Sequence, residues 1–323
     1  MKMETDPSKP GPVTGAIAPP RAASPEGPTW RKFQGMILFT VILLVIFGRP
    51  LFRLAVYALH SELYSHILLI PFVCAYLIRL NKGKLAALDS RPDRRGAWLP
   101  MAAGAITLAG YWVAIRKGWH PPTPDYLAVM TFSFLLFLLG GGFIFLGSNY
   151  LRKIAFPVAM MFFCIPFPQA VREGIETFFQ LGSTDVAYVF LTASGMPVFL
   201  TGTHFQLPSF ALNVAPECSG IHSSVVLVIT SLIASYLFLK SPSKQLILVL
   251  AVVPLALLRN GFRIFVIAQL CVRIGPQMID SPIHHKGGPV FFVLSLVPLF
   301  ILLVYLNKCE LRKERAGLVH PKE

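Results

Sequence analysis

Cys218 is the residue of this sequence best placed to act as a nucleophile. It lies in the stretch NVAPECSGIHSS, after Pro216, which stops any preceding helix, and within the first turn of a helix that the following apolar run predicts from about Gly220. Free N–H groups and the positive end of the dipole at a helix start favour a thiolate. A buried structural cysteine is the alternative, and the neighbouring Glu217 disfavours the thiolate unless a cation lies nearby.

Two arginines in the stretch ALLRNGFRIFVI are the candidates for that cation. Arg259 and Arg263 are four residues apart and therefore share one face of a predicted helix. An arginine in an apolar helix is costly unless it faces water or a partner. For Arg259 we favour snorkelling to the membrane interface, whereas Arg263 is the stronger candidate to meet the thiol.

Histidines supply the third chemical group. His284 and His285 lie in the loop DSPIHHKGG, where an imidazole acts as a general acid or base or is simply solvated. His222, four residues after Cys218 on the same predicted helix face, is a rival base. Cysteine, histidine and arginine together indicate acyl transfer through a thioester, in which arginine stabilises or orients negative charge.

The composition is that of a membrane protein. Hydrophobic residues make up 54% of the 323 and charged residues only 14%, against roughly 25% charged in soluble domains. Apolar runs in lipid must be helical, since the backbone has no water to bond. We therefore predict an all-α polytopic fold with about eight transmembrane helices, near residues 33–59, 64–80, 97–115, 126–146, 151–165, 220–239, 245–266 and 289–306.

The remaining segments complete the organisation. Residues 1–30, rich in Pro, Gly, Ala and Ser, predict a disordered cytoplasmic tail; 31–306 form the transmembrane domain, and 307–323 a basic cytoplasmic tail. Within the long segment 167–217, the first part predicts an amphipathic helix at the extracytoplasmic membrane surface or a re-entrant element. The second part alternates and carries Pro and Gly, which indicates extended chain and turns.

Basic residues predict the orientation. Twenty of the 29 Lys and Arg residues lie in the two tails and in three short loops, which fall on one side if there are eight spans. Both termini are then cytoplasmic, and Cys218, Arg263 and His284 meet at the outer rim.

The net charge of +14 therefore reflects topology, and nucleic-acid binding is excluded because no polar domain is large enough to hold a duplex. The five cysteines form no CxxC pair and are odd in number, so neither a zinc site nor a disulfide framework is indicated. The proposed thioester chemistry needs no metal or organic cofactor, and the sequence shows no ligand cluster for one.

Several stretches, taken in order, resemble the exosortase/archaeosortase family of membrane transpeptidases. They are SHILLIPFVCAYLI, FPVAMMFFCIPFPQ, GMPVFLTGTHFQLPSFALNVAPECSGIHS, RNGFR and HHKGG. The resemblance implies that Cys218 is the nucleophile, that Arg263 closes an N-x-x-R motif, and that His284 opens H-x-x-x-G as the acid or base, with His285 as the alternate. The supporting residues that it implies are Asn260, Ser219, Gly220, Glu217, Arg259 and His222.

The resemblance also implies a function and a location. The enzyme, in the inner membrane, would cut exported proteins near a C-terminal sorting signal: a short motif such as Pro-Glu-Pro, a transmembrane helix and a basic cluster. It would form a thioacyl intermediate and pass the protein to a membrane lipid or a cell-surface acceptor. The alternatives are a non-catalytic component of exopolysaccharide export, a membrane acyltransferase, and a secondary transporter, whose inverted repeats the two halves do not show.

Overall fold

Helices make up nearly all of the computed structural model, which describes residues 30–86, 91–208, 210–275, 277–278 and 288–319. The helices, in chain order, are α1 Trp30–Ile46, α2 Gly48–His60, α3 His66–Leu80, α4 Lys82–Ala86, α5 Arg94–Arg116, α6 Thr123–Phe145, α7 Ser148–Lys153, α8 Ala155–Met161, α9 Gln169–Ala193, α10 Ile221–Phe238, α11 Pro242–Leu250, α12 Val252–Arg273 and α13 Gly288–Val319. This arrangement confirms the predicted all-α polytopic fold.

Fewer helices than predicted are long and apolar enough to cross a membrane. In the described ranges five pass on length and composition, namely α5, α6, α10, the joined α11–α12 and α13. The number reaches seven if two bent pairs each count as one span: α1–α2, bent by 74°, and Ala155–Cys164 with α9, bent by 93°. The predicted second span is α3, whose 15 residues cover only about 22 Å, so the number eight is not confirmed.

The helix predicted between spans five and six is present as α9, and it packs closely along α12. Pro168 precedes its first residue, and Gly195, with φ +75°, follows its end. A Cβ built on Gly261 of α12 would lie 2.5 Å from Cγ1 of Val186 and 3.0 Å from the backbone oxygen of Ser183. The two backbones therefore approach so closely that only glycine fits at 261.

A small antiparallel sheet follows α9, where the sequence predicts extended chain. Its strands are β1 Phe199–Thr201, β2 His204–Gln206 and β3 Ala211–Asn213, in the order β1-β2-β3. One face carries Leu200, Phe205 and Leu212, which belong to the same apolar cluster as residues of α9 and α12. Phe205 is fully buried in that cluster. The sheet is thereby fixed against the two helices that also flank Cys218.

Helix α10 connects the two halves of the bundle. Its residues Ile221, Val225 and Ile229 pack with α2, α3 and α8. On another face, Leu227 and Ala234 pack with α11, α12 and α13. The start of α10 is therefore held by helices from both halves, and this is the point at which the turn carrying Cys218 ends.

Candidate active site

Cys218 lies in a 3₁₀ turn, Pro216–Ser219, immediately before α10 rather than inside it. Its N–H donates to the carbonyl oxygen of Ala215 at 2.9 Å. The turn ends at Gly220, whose φ of +73° breaks the chain direction before the helix begins. The expectation that Cys218 and His222 share one helix face is therefore wrong, because a left-handed residue separates them.

Two neighbouring side chains of α12 hold this turn by its carbonyl groups. The Asn260 Nδ2 donates to the Cys218 backbone oxygen at 2.7 Å. The Arg259 Nη2 donates to the Gly220 backbone oxygen at 3.2 Å and lies 3.4 Å from the Ser224 hydroxyl oxygen. Asn260 is 1% exposed and Arg259 7%. Buried hydrogen bonds of this kind are costly to break, so they fix the position of the turn.

Arg259 does not snorkel to the interface, which corrects the sequence-based interpretation. Its guanidinium is directed inward to Gly220 and Ser224. Its Nη1 has no hydrogen-bond partner within the described ranges, and no carboxylate described there forms an ion pair with it. Among the described groups, Arg259 therefore meets the neutral dipoles of Gly220 and Ser224, and its positive charge acts on the neighbouring turn.

Gly220 has no room for a side chain. A Cβ there would lie 2.8 Å from the Asn260 Oδ1 and 3.1 Å from the Arg259 Nη2. The two donors reach their carbonyl partners across this space. Both the left-handed backbone and the close approach therefore require glycine at this position.

Cys218 and Arg263 line one small cavity of about 150 Å³. Cys218 is partly exposed. One wall of the cavity is β3 and the chain that follows it, and the opposite wall is α12; the other lining residues are Leu212, Asn213, Val214, Ala215, Asn260, Ile264 and Ile267. The structure thus brings together the predicted thiol and the predicted arginine in a mainly apolar space.

Arg263 also lines a second, larger cavity of about 920 Å³. His222 lies in its wall, as do Arg172 and Glu176, which form an ion pair at 3.6 Å. Further polar residues of this wall are Tyr57, His60, Ser61, Glu62, Tyr64, Ser65 and Ser223. Arg263 therefore lines both the small apolar cavity, which Cys218 also lines, and the large polar cavity.

Sequence reasoning did not identify the polar wall of the larger cavity. The Arg172–Glu176 spacing of i and i+4 on an amphipathic helix was the available signal, but this spacing is common on solvated helix faces. Glu62 lies in the polar HSELYS stretch between two apolar runs. Only the three-dimensional structure shows that these groups line the same cavity as Arg263.

His284 and His285 lie outside the described residues, and so does the side chain of Glu217. The described chain resumes at Gly288, which lines the larger cavity together with Pro289. The assignment of the acid or base to His284, with His285 as the alternate, therefore stays a prediction.

The geometry can be compared with what is known of related chains. Residues 58–301 match the family model of the transmembrane exosortases. The chain belongs to the transmembrane exosortase family. The matched part contains the smaller cavity, all lining residues of the larger one except Tyr57, and the residues that hold the Cys218 turn. Neither the comparison with curated proteins nor that with solved structures gave a match. Family membership makes this chain a multi-pass membrane protein of the processing and transpeptidase kind, acting on exported proteins.

Replacing Gly220 by alanine tests whether the geometry of the turn matters for this exosortase. We expect Gly220→Ala to lower the processing of an exported substrate by roughly tenfold or more, because the added methyl group displaces Asn260 and Arg259 and with them the thiol. The measurement is the rate at which the shortened substrate appears, alongside thermal unfolding of the protein in detergent.

Gly195→Ala is the matched control. Gly195 also has a left-handed φ, +75°, but open space around its Cα. Both substitutions carry a similar backbone strain of about 1–2 kcal/mol, and only Gly220→Ala adds the clash. Equal processing rates in the two variants would contradict the importance of the turn.

Proposed function

We propose that this exosortase cleaves exported proteins at a C-terminal sorting signal through a thioester at Cys218, on the extracytoplasmic side of the inner membrane. The observation that carries the proposal is that Cys218 and Arg263 line the same cavity. The turn bearing the thiol is fixed by Asn260 and Arg259, and the whole arrangement lies in the region that matches the family.

In the first step the Cys218 sulfur attacks the carbonyl carbon of the scissile peptide bond. The thiol proton passes to a base and then to the leaving amine as the C–N bond breaks, so that the substrate remains as a thioester. Arg259, whose Nη2 donates to the Gly220 oxygen, places a positive charge beside the turn and thereby favours the thiolate. Arg263, in the cavity wall, stabilises the oxyanion of the tetrahedral intermediate.

In the second step a nucleophile attacks the thioester. An amine or hydroxyl group of a membrane lipid or cell-surface acceptor forms the new bond, and the sulfur leaves and regains a proton. The two cavities support such a transfer, because they present two approaches that meet at Arg263. The small apolar cavity surrounds the acyl group, and the polar one admits the acceptor.

The proposed acid or base is His284, with His285 as the alternate. The position of Gly288 in the wall of the larger cavity supports this assignment. His222 is the imidazole that the described residues place in the same wall, and it is the competing base. The three residues are separable by substitution.

Substitution of Cys218 tests the cleavage directly. The enzyme is co-expressed with exported proteins that end in a motif, a transmembrane helix and a basic cluster, and loss of the tail is followed by mass. We expect Cys218→Ala to abolish processing, because Cys218 is the one cysteine among the described residues that line the two cavities, and its sulfur forms the thioester. Arg263→Ala slows it by about 10²–10³-fold through loss of oxyanion stabilisation.

Cys309→Ala is the control for thiol loss. Cys309 is also a free, partly exposed cysteine, but it lies in the last part of α13 and in neither cavity. It should leave processing unchanged. Full processing by Cys218→Ala would reject the cysteine mechanism and favour a non-catalytic membrane component.

Separate substitutions identify the base. A general acid or base contributes about 10²–10⁴-fold, so His284→Ala should slow processing by a factor in this range, while His285→Ala and His222→Ala should retain most of it. Loss with His285→Ala alone moves the base by one residue. Loss with His222→Ala alone assigns it to the start of α10 and contradicts the proposal for His284.

A further inference from the structure

The outer edge of strand β3 leads directly to Cys218. Strands β2 and β3 pair in antiparallel register, with Phe205 opposite Leu212. The bonds from Leu207 N–H to the Phe210 oxygen and from Val214 N–H to the Thr203 oxygen show which pairs are hydrogen-bonded. Since hydrogen-bonded and non-bonded pairs alternate along an antiparallel ladder, Leu212 bonds to β2. The N–H and C=O groups of Ala211 and Asn213 therefore point away from β2.

These outward backbone groups have no partner within the described ranges. The side-chain oxygen of Asn213 accepts from the Thr203 hydroxyl at 3.1 Å, a bond that does not use its outward backbone groups. Ala211 and Asn213 are both exposed. Backbone N–H and C=O groups at a strand edge normally find hydrogen-bond partners. An edge that leaves them open, here next to Cys218, can pair with another extended chain.

The chain that leaves β3 runs directly to Cys218. The carbonyl oxygen of Ala215, two residues beyond the strand, accepts from the Cys218 N–H. Leu212 to Ala215 also form one wall of the cavity that Cys218 and Arg263 line. A peptide laid against β3 would thus pass into this cavity, with its backbone fixed by Ala211 and Asn213.

We propose that β3 is a docking edge on which the exported substrate adds an extended strand, so that main-chain hydrogen bonds to Ala211 and Asn213 place the scissile bond at Cys218. The occupant is the extended segment of the substrate next to its transmembrane helix. In such pairing, main-chain hydrogen bonds supply the binding affinity, and the side chains of alternate substrate residues supply the specificity. The proposal rests on the cleavage proposed above and adds the way in which the substrate is held.

Disulfide trapping in the full-length protein tests the docking without requiring catalysis. In the Cys218→Ala background, which retains uncleaved substrate, Ala211→Cys is combined with single cysteines at six consecutive positions of the reporter's extended segment. Directly opposed residues lie about 5.5 Å apart, within disulfide range. Because side chains of a strand alternate in direction, the cross-linking yield should alternate with a period of two.

Thr201→Cys is the matched control for trapping. Thr201 is exposed on the same sheet, but its strand β1 lies two strands away from the docking edge, about 10 Å. It should give no periodic cross-link.

A second variant, Ala211→Pro, tests the backbone contact itself. It removes one outward N–H, which makes no hydrogen bond to β2, and should slow processing about threefold to tenfold while thermal unfolding stays unchanged.

The outcomes separate the two proposals. Processing by the wild type with absent or non-periodic cross-linking at Ala211→Cys overturns the docking edge alone. Periodic cross-linking together with full processing by Cys218→Ala keeps the docking edge and overturns the thioester. If the reporter is neither cross-linked nor processed, both proposals are overturned.

Discussion

Two hydrogen bonds from α12 to the carbonyl groups of the Cys218 turn are the contacts on which the site depends. Asn260 holds the oxygen of Cys218, and the neighbouring Arg259 holds that of Gly220. A buried arginine in an apolar helix is costly without a partner. The hydrogen bonds of Arg259 to the turn therefore explain why its side chain points inward instead of toward the membrane interface. One turn further along α12, Arg263 lines the thiol's cavity. The same helix therefore fixes the Cys218 turn and contributes Arg263 to the wall of the cavity that Cys218 also lines.

The position of Arg263 between two cavities gives the fold a means of separating cleavage from transfer. The smaller cavity lies between β3 and α12 and is mainly apolar, and charge stabilisation is stronger in an apolar setting than in water. The larger one carries His222 and the Arg172–Glu176 pair. In the proposed mechanism, the acceptor enters through the polar cavity and meets the thioester beside Arg263. The balance between hydrolysis and transfer then depends on how well that cavity excludes free water.

Local patterns predicted the helices, while long-range contacts determined the details that sequence reasoning missed. Apolar runs identified the helices, but hydropathy did not show that α3 is too short to span or that the chain bends after α1. Motif order singled out Cys218 and Arg263, which share a cavity. The break at Gly220 and the inward direction of Arg259 depend on each other through space. No spacing in the sequence encodes which face of α12 meets the turn.

The most direct measurement of the central claim is isolation of the covalent intermediate. Full-length wild-type enzyme in membranes is mixed with reporter, quenched in acid and digested, and the peptide containing Cys218 is analysed by mass spectrometry. The account predicts an adduct of the reporter's new C-terminal segment on Cys218, released by neutral hydroxylamine as a hydroxamate. Shortened reporter that accumulates at every time point with no adduct on Cys218 and no hydroxamate would contradict it.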